Sequence, residues 1–520
     1  MDSRVVDAAR AAFPPSTSAV TLGAPLHLGE CHPEPVVSLP VAMINRHGLI
    51  AGATGTGKTK TLQLLTEQLA AAGVPVVVAD IKGDLSGLAM PGEPSDRVTQ
   101  RATDIRWTWT PAGVPVEFVS LSGKLGVQLR ATIASFGPLL LAKVLGLNDT
   151  QTSVLTLVFK YCDDQRLPLL DLADLRAVLQ FLTSPEGKRE LDALGGMSPA
   201  SVGVLLRKMV ELEMQGAEQF FGEPEFDVHD LLVTTREGKG VVTCLELSDV
   251  QDKPQLFSTV LMWLLAELYH TLPEAGDLDK PKLVFFFDEA HLLFTDASKA
   301  FLQQVEQVVR LVRSKGVGVY FVTQSPKDVP SDILAQLGHR VQHALRAHTP
   351  DDATALKAAV RTYPRTEFYD LEETLTSLGI GEAVVTALDP RGVPTPVVAA
   401  RLIPPASRMA PLTPDELQAD IRHSDLLAEY GTPVDRESAR EMLAARLESP
   451  GRGGQASAPD GRGGQASAPA QMSTGAKIGS AIVAALGTTV ARSVGRALVR
   501  GVLGGLLGGK GSRGTRRTRW

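Results

Sequence analysis

Cysteine is scarce in this chain of 520 residues, and its sequence contains no long uncharged apolar run. Its three cysteines, Cys31, Cys162 and Cys244, are isolated and lack the paired spacing of a zinc site or a disulfide framework. No apolar run reaches the roughly 18 to 20 residues that a membrane-spanning helix needs. Residues 1–15 also lack the apolar segment of a signal peptide. We therefore expect reduced thiols and a cytoplasmic globular protein.

Acidic residues are missing from the end of the chain. Residues 471–520 carry nine Lys or Arg and no Asp or Glu, so the formal net charge of −6 leaves −15 for the remainder. A decapeptide repeats just before, over residues 451–470, and its Gly, Ser and Pro content is typical of a flexible linker. The spacing of Arg492, Arg496 and Arg500 predicts that they lie along one face of a helix.

The basic tail, residues 475–520, allows three interpretations. Its cations can neutralise DNA phosphates, which would place the protein at the nucleoid. They can instead dock on an anionic membrane surface or an acidic protein partner. The tail can also be a small self-associating appendix. The sequence contains no helix-turn-helix, zinc finger or other base-reading module, so it leaves all three open.

A complete phosphate-binding pattern is the strongest chemical signal. Residues 52–59 are GATGTGKT and fit G-x-x-x-x-G-K-[ST] at every position. An apolar stretch, Leu49–Ala51, precedes this pattern and a helical pattern follows it, which predicts a strand, a glycine turn and a helix. The glycines let backbone N–H groups face phosphate oxygens, so the predicted ligand is a nucleoside triphosphate. The predicted ATP-binding residues are Gly52, Thr54, Gly55, Thr56, Gly57, Lys58, Thr59 and Lys60.

A pair of carboxylates after an apolar strand is the second signal. Leu283–Phe287 is followed directly by Asp288 and Glu289. The carboxyl end of such a strand faces the phosphate loop in an α/β sheet. Asp288, together with Thr59, is therefore predicted to hold Mg²⁺, and Glu289 to polarise the attacking water. Lys58 is predicted to act in catalysis by contacting the β and γ phosphates.

Two neighbouring residues have less certain roles. Asp80 ends a predicted strand and either contacts the metal's shell or caps the loop that follows. His291 is expected to be a hydrogen-bonded neighbour of the site rather than a metal ligand. The letters DEAH at 288–291 match the motif of DEAH-box helicases, but their distance along the chain from the phosphate loop is too long and a second motor domain is not visible. We therefore exclude that class.

Three further residues are candidates for the γ-phosphate. Gln324 follows the apolar stretch Val317–Val322, and it either contacts the γ-phosphate or lytic water or caps a loop. Arg310 and Arg313 are three residues apart on the preceding helix and share one face. They either supply a catalytic arginine finger to a neighbouring subunit or form a solvated basic face.

Apolar strand patterns alternate with helical patterns over much of the chain, which predicts a mainly parallel sheet. Residues 124–238 break the alternation and show successive helical patterns. The predicted fold is an α/β core with an all-α insertion and a flexible basic C-terminal tail. The predicted divisions are an N-terminal short β segment (1–45), a first core segment (46–123), the helical insertion (124–238), a second core segment (239–405), C-terminal helices (406–450), a linker (451–474) and the basic tail (475–520).

These motifs resemble the HerA–FtsK superfamily of ring-forming DNA-translocating ATPases, and most closely its bacterial YjgR-like, helicase HerA-like group. The resemblance implies a RecA-like P-loop core and a homo-hexameric ring with ATP bound between subunits. It also implies that Arg313, with Arg310 as second choice, is the trans-acting arginine. The resembling segments are ATGTGKTK (53–60), ADIKGDL (79–85), FFDEAHLL (286–293), VRSKGVGVYFVTQ (312–324) and LGHRVQHALRA (337–347).

Two functions follow from these patterns. The first is a ring-forming, Mg²⁺-dependent ATPase that couples hydrolysis to movement along double-stranded DNA. The alternative is a regulatory or scaffold ATPase that acts at a membrane or protein complex through residues 475–520. Stimulation of hydrolysis by DNA is expected only for the first.

Overall fold

The computed structural model describes residues 3–448, apart from 192–194, 277, 296, 298 and 390. Residues 3–444 belong to one compact unit, and a second unit begins at Ala445. The predicted linker and basic tail lie outside the described residues. Within the described part of the chain, every helix is too short or too polar to cross a bilayer. All three cysteine thiols are free.

Thirteen strands form one sheet in the described part of the chain. Their order across the sheet is β2-β1-β13-β12-β11-β4-β10-β9-β5-β8-β6-β7, with β3 paired to β1 outside this path. The strands are β1 (Ala19–His27), β2 (Glu30–Cys31), β3 (Val37–Pro40), β4 (Gly48–Ala51), β5 (Val76–Asp80), β6 (Val116–Ser120), β7 (Val127–Gln128), β8 (Val242–Glu246), β9 (Leu283–Phe287), β10 (Val317–Thr323), β11 (His339–His343), β12 (Glu382–Thr386) and β13 (Val398–Leu402).

The sheet is parallel from β11 to β7 and antiparallel at its other end. Strands β11, β4, β10, β9, β5, β8, β6 and β7 pair in parallel. Strands β12, β13, β1, β2 and β3 extend the sheet with antiparallel pairs. Because parallel strands present their carboxyl ends at the same edge, the loops after β4, β5, β8, β9 and β10 meet there. The predicted α/β fold with a mainly parallel sheet is confirmed.

Helices cover both faces of the sheet and also form a separate group between β7 and β8. The helices are α1 (Ser3–Ala12), α2 (Lys58–Ala71), α3 (Asp96–Asp104), α4 (Ile133–Val144), α5 (Asp149–Gln165), α6 (Leu172–Thr183), α7 (Pro185–Leu191), α8 (Pro199–Met214), α9 (Pro254–Thr271), α10 (His291–Phe294), α11 (Lys299–Val312), α12 (Ser331–Leu334), α13 (Pro350–Val360), α14 (Leu371–Ser377), α15 (Pro414–His423), α16 (Leu426–Tyr430) and α17 (Ala439–Glu448).

The strand β9 shows how the sheet divides the core into two layers. Alternate side chains of a strand point to opposite faces. Phe285 and Phe287 pack into the cluster that contains the helices between β7 and β8, whereas Val284 and Phe286 pack into the cluster under α1 and α2. All five side chains of β9 are buried, which explains its uninterrupted apolar sequence.

Side-chain caps set the starts of the helices between β7 and β8. Asn148 and Asp171 each accept a hydrogen bond from the third backbone N–H of their helices, and Ser198 does the same for α8. Such caps satisfy N–H groups that have no partner inside the helix. Gly137, at φ 66°, breaks the regular backbone of α4 just before Pro138, so this helix is kinked.

Both terminal regions of the described chain contain helices. We expected only short strands and turns before residue 46, but α1 occupies Ser3–Ala12. Val5 and Ala9 of α1 are buried. They are four residues apart, so they lie on one face of the helix, and this amphipathic spacing is the signal in the sequence that indicates α1. In the region predicted to hold C-terminal helices, 406–450, the structure has α15, α16 and α17.

Three buried histidines lie on the adjacent strands β4 and β11 and their ends. Burial lowers the pKa values of His47, His339 and His343 from 6.5 to about 4. Two of them have a defined backbone partner: His339 Nε2 donates to the Met43 carbonyl at 2.7 Å, and His47 Nδ1 accepts from the Val319 N–H at 3.0 Å. Protonation would place an unneutralised charge inside the sheet.

We predict that His339→Gln reduces the pH dependence of stability. The unfolded imidazole titrates near pH 6.5 and the folded one near pH 4, so the unfolded state binds more protons between these values and stability falls as pH falls. For one histidine the loss between about pH 7.5 and pH 5 is about 2 kcal/mol. Urea unfolding at both pH values, with His229→Gln as an exposed control, measures the difference. Equal pH dependence in wild type and His339→Gln would contradict the prediction.

Candidate nucleotide-binding site

The phosphate loop joins β4 to α2 at the carboxyl edge of the parallel strands. Gly55 and Gly57 have φ values of 77° and 117°, which side chains rarely adopt. Gly57 is the N-cap residue of α2 and supplies no side-chain hydrogen bond to it. The first N–H groups of α2 are therefore available to an anion, and the helix dipole favours negative charge there.

Lys58 extends into this loop. Its Nζ donates to the carbonyl oxygens of Gly52 at 2.7 Å and Ala53 at 3.2 Å. Burial lowers the pKa of Lys58, and the nearby charges of Glu289 and Asp288 oppose that change. The fold thus brings together Lys58 and both carboxylates of the second motif.

Asp288 and Glu289 follow β9, which is separated from β4 by the single strand β10. Both residues are buried. Burial, followed by the charges of Glu289 and Asp80, raises the pKa of Asp288 to about 7. Its Oδ2 is buried without a hydrogen-bond partner among the described residues. An unpaired buried carboxylate oxygen at a phosphate-binding edge is a suitable ligand for a hard cation such as Mg²⁺.

Glu289 is held in a strained and charged setting. Its φ of 46° lies in the left-handed region, which is costly for a residue with a side chain. Lys82 forms an ion pair with its Oε1, and His291 Nδ1 lies 3.1 Å from its Oε2 without hydrogen-bond geometry. Burial acts to raise the pKa of Glu289, but the hydrogen bond and charge of Lys82, with the charges of His291 and Lys58, outweigh burial and hold it below its usual value. Glu289 is therefore ionised at neutral pH.

Sequence reasoning missed Lys82. It lies in the loop after β5, more than 200 positions from its partner. A single lysine in a loop carries no signal by itself. The only indication was its position between Asp80 and Asp84, directly after a buried strand, because loops at that edge meet the phosphate loop.

The sequence left two roles open for Asp80, contact with the metal's shell or capping of the loop after β5, and its hydrogen bonds support the capping role. Its Oδ1 accepts hydrogen bonds from the N–H groups of Lys82 at 3.1 Å and Gly83 at 2.8 Å, and its Oδ2 accepts from the Leu85 N–H at 2.8 Å. Asp80 therefore caps the loop after β5. These three backbone hydrogen bonds fix the shape of the loop beside the phosphate-binding edge.

Gln324 lies at the same edge as the carboxylates and the phosphate loop. It follows β10, the strand that pairs with both β4 and β9. Its exposed side chain lines a cavity of about 620 Å³. Ala53, Thr54 and His291 also line this cavity. Gln324 and the phosphate loop thus line the same cavity, and the catalytic role of Gln324 stays a prediction.

The two candidate arginines lie at the opposite edge of the sheet. Arg313 is exposed and precedes β10, whereas Gln324 follows it. At about 3.3 Å per residue, the seven residues of β10 separate these edges by about 20 Å. Arg310 forms an ion pair with Glu306 on its own helix. Neither arginine can reach the phosphate loop of its own chain.

The outer face of α2 contacts a distant segment of the chain. Lys60 Nζ donates to the Met409 carbonyl, so this predicted ATP-binding side chain is engaged by a distant segment of the chain, and its part in nucleotide binding stays a prediction. Glu67 is buried and accepts hydrogen bonds from two backbone N–H groups of residues 406–407, at 2.7 and 3.0 Å. The segment 406–409 therefore fixes the helix that carries Lys58 and Thr59.

His343 contacts α2 and the start of β12 next to the phosphate loop, and the sequence patterns did not predict this role. Its Nε2 is 2.8 Å from Thr61 Oγ1 on α2, and its Nδ1 donates to the Glu382 carbonyl at 3.0 Å. The Gly381 N–H donates to the Thr56 carbonyl at 2.9 Å. Strands β11 and β12 thereby hold the loop in position.

Comparison with known proteins establishes the family. The sequence pattern of the family described as helicase HerA-like, C-terminal, matches residues 26–513. The chain belongs to the HerA-like helicase family. Its predicted place in the HerA–FtsK superfamily is thereby confirmed, and its place in the YjgR-like group stays a prediction.

Among curated proteins, the chain is similar to the DNA double-strand break repair helicase HerA of Saccharolobus solfataricus. The two are 21% identical over 355 residues, which is 67% of this chain and 63% of that relative. The chain thus matches slightly less than two thirds of the relative's length.

Among solved structures, the chain is similar to the bacterial conjugative coupling protein TrwBdeltaN70 in complex with sulphate. The TM-score is 0.51 at 16% identity, over 79% of this chain and 94% of that one. Plasmid coupling protein TrwB in complex with the non-hydrolysable ATP analogue ADPNP gives 0.50 at 15% identity, over 79% and 94%. Identities this low show the fold alone, which is the RecA-like P-loop ATPase fold.

We predict that Gly57→Ala abolishes nucleotide binding whereas Gly55→Ala weakens it only moderately. Both glycines have positive φ, but a Cβ at Gly57 would lie 3.2 Å from the Gly381 nitrogen, and a Cβ at Gly55 would meet no atom within 4 Å. Gly55→Ala therefore carries only the conformational cost of about 1–2 kcal/mol. Binding of a fluorescent ADP analogue compares the two variants. Equal effects would show that contact with Gly381 does not hold the loop.

Proposed function

We propose that this protein is a Mg²⁺-dependent ATPase of the HerA–FtsK type. The observation that carries this proposal is the convergence of Lys58, Asp288 and Glu289 at one edge of the sheet. Backbone N–H groups of the loop and Lys58 bind the triphosphate, and Thr59 and Asp288 hold Mg²⁺. The metal, when bound, neutralises charge that develops on the phosphate oxygens.

Glu289 accepts a proton from the attacking water or polarises that water. Its lowered pKa keeps it as a carboxylate, and the ion pair with Lys82 restricts its orientation. Gln324, between the phosphate loop and the carboxylates, orients the water or senses the γ-phosphate.

We further propose that the chain works as a homo-hexameric ring that moves along double-stranded DNA. The ring is supported by the position of Arg313 at the edge opposite its own phosphate loop, because an arginine placed there can act only on a neighbouring subunit's nucleotide. DNA as the substrate is supported by the similarity of the chain to a DNA double-strand break repair helicase. The alternative of a scaffold ATPase depends on residues 475–520, which lie outside the described residues.

We predict that Lys58→Ala lowers the rate of ATP hydrolysis by about 10²–10³, since it removes a charge from the phosphoryl group. Lys160→Ala, an exposed variant on α5, serves as the control. We expect duplex DNA to raise the wild-type rate. A rate that no nucleic acid changes would contradict the motor while leaving the ATPase in place, and a wild type without hydrolysis would contradict both.

We predict that two inactive variants restore activity when they are mixed. Arg313→Ala and Glu289→Gln each remove one half of an intersubunit site, so random mixed rings contain some sites with both halves intact. Hydrolysis assayed after subunit exchange should exceed that of either variant alone. Mixing Lys58→Ala with Glu289→Gln is the control, because both changes affect the same half of the site. If neither mixture recovers, Arg313 is not a trans-acting residue.

A further inference from the structure

A group of carboxylates lies beside the phosphate loop where β5, β8 and β9 end. Asp80, Asp84 and Asp288 each present an oxygen atom, and these atoms lie within 4.8 Å of one another. Asp80 already accepts three backbone hydrogen bonds. The loop that it caps carries Asp84 towards Asp288, so Asp84 and Asp288 are the two members with free capacity.

Two oxygen atoms in this group are buried and lack a hydrogen-bond partner among the described residues. They are Asp84 Oδ1 and Asp288 Oδ2. Asp288 is only 3% exposed, so water does not compensate for its missing partner. The carboxylates of Asp84 and Asp288 each have an oxygen within 4.8 Å of the other, so they repel each other when both are ionised unless a cation lies between them.

Two lysines close to Asp84 have other partners. Lys82 forms its ion pair with Glu289, and Lys60 donates to the Met409 carbonyl. Both are close enough to Asp84 for its charge to act on them, yet their ammonium groups have other partners. Neither of these two lysines therefore supplies a cation to the two free oxygens.

A second group of potential metal ligands lies nearby, but its thiol is protonated and hydrogen-bonded. Asp80, Cys244 and Glu246 also present atoms within 4.8 Å of one another. Burial raises the pKa of Cys244 well above its ordinary value, so the thiol stays protonated, and its Sγ donates to Glu246 Oε1 at 3.5 Å. A neutral thiol is not a metal ligand.

We propose that Asp84 is a second carboxylate of the Mg²⁺ site and acts together with Asp288. The inference rests on the proposed function and adds a residue that the paired-carboxylate motif does not contain. Oxygen atoms of carboxylates, water and phosphate are the ligands that Mg²⁺ takes in nucleotide sites. Asp84 makes the site more selective for the metal-bound nucleotide, because the two carboxylates disfavour a nucleotide without its cation.

The test is a Mg²⁺ titration of thermal stability at saturating ADP, with Asp84→Asn and the exposed variant Asp7→Asn as control. We expect Asp84→Asn to raise the Mg²⁺ concentration for half-maximal stabilisation by about 10-fold or more. Asp7→Asn should match wild type. In EDTA without nucleotide, we expect Asp84→Asn to be as stable as wild type or more stable, because it removes repulsion from Asp288.

The outcomes separate the two proposals. If wild type is not stabilised by Mg²⁺ with ADP, the proposed function fails. If wild type is stabilised and Asp84→Asn shows the same Mg²⁺ dependence, the Asp84 inference alone is overturned. If Asp84→Asn is less stable than wild type in EDTA or does not fold, Asp84 has a structural role and the inference is likewise overturned.

Discussion

The balance between buried carboxylates and a few lysines at one edge of the sheet underlies the whole site. Asp80, Asp84, Asp288 and Glu289 come from two strand ends that are far apart in sequence. Burial, followed by the charges of Glu289 and Asp80, raises the pKa of Asp288, while Lys82 keeps Glu289 ionised. A site of this kind needs a cation to be complete, which suits a ligand that carries its own metal ion. The structure thus links phosphate binding and metal binding through one charge balance.

The order of the strands determines where these charged groups lie relative to the phosphate loop. Strand β10 lies between the phosphate-loop strand β4 and the carboxylate strand β9. This arrangement leaves space between the loop and the carboxylates, and it places Gln324 in that space. Arg313 precedes the same strand and therefore lies at the far edge. One seven-residue strand therefore separates the groups that act within a subunit from the group that we propose to act between subunits.

The elements behind the site explain why the phosphate loop keeps its shape. His343 and Gly381 hold it on one side, and the contact of α2 with residues 406–409 holds the helix on the other. These supports come from β11, β12 and the segment before α15, so the site depends on the antiparallel region of the sheet as well as on the parallel region. A rigid loop lowers the cost of organising the backbone N–H groups around a phosphate.

The sequence alone determined the features that depend on local order. The phosphate loop, the strand before Asp288 and Glu289, and the alternation of strands and helices are set by residues adjacent in the chain, and they predicted the α/β fold. The tertiary structure decided the contacts of Lys82 and His343 and placed Asp84 beside Asp288, and it showed that Asp80 caps a loop and that the side chain of Lys60 donates to the Met409 carbonyl. Each of these contacts depends on how separate segments pack against one another. Most of the partners are hundreds of positions apart in the sequence, and only the assembled sheet brings the two segments into contact.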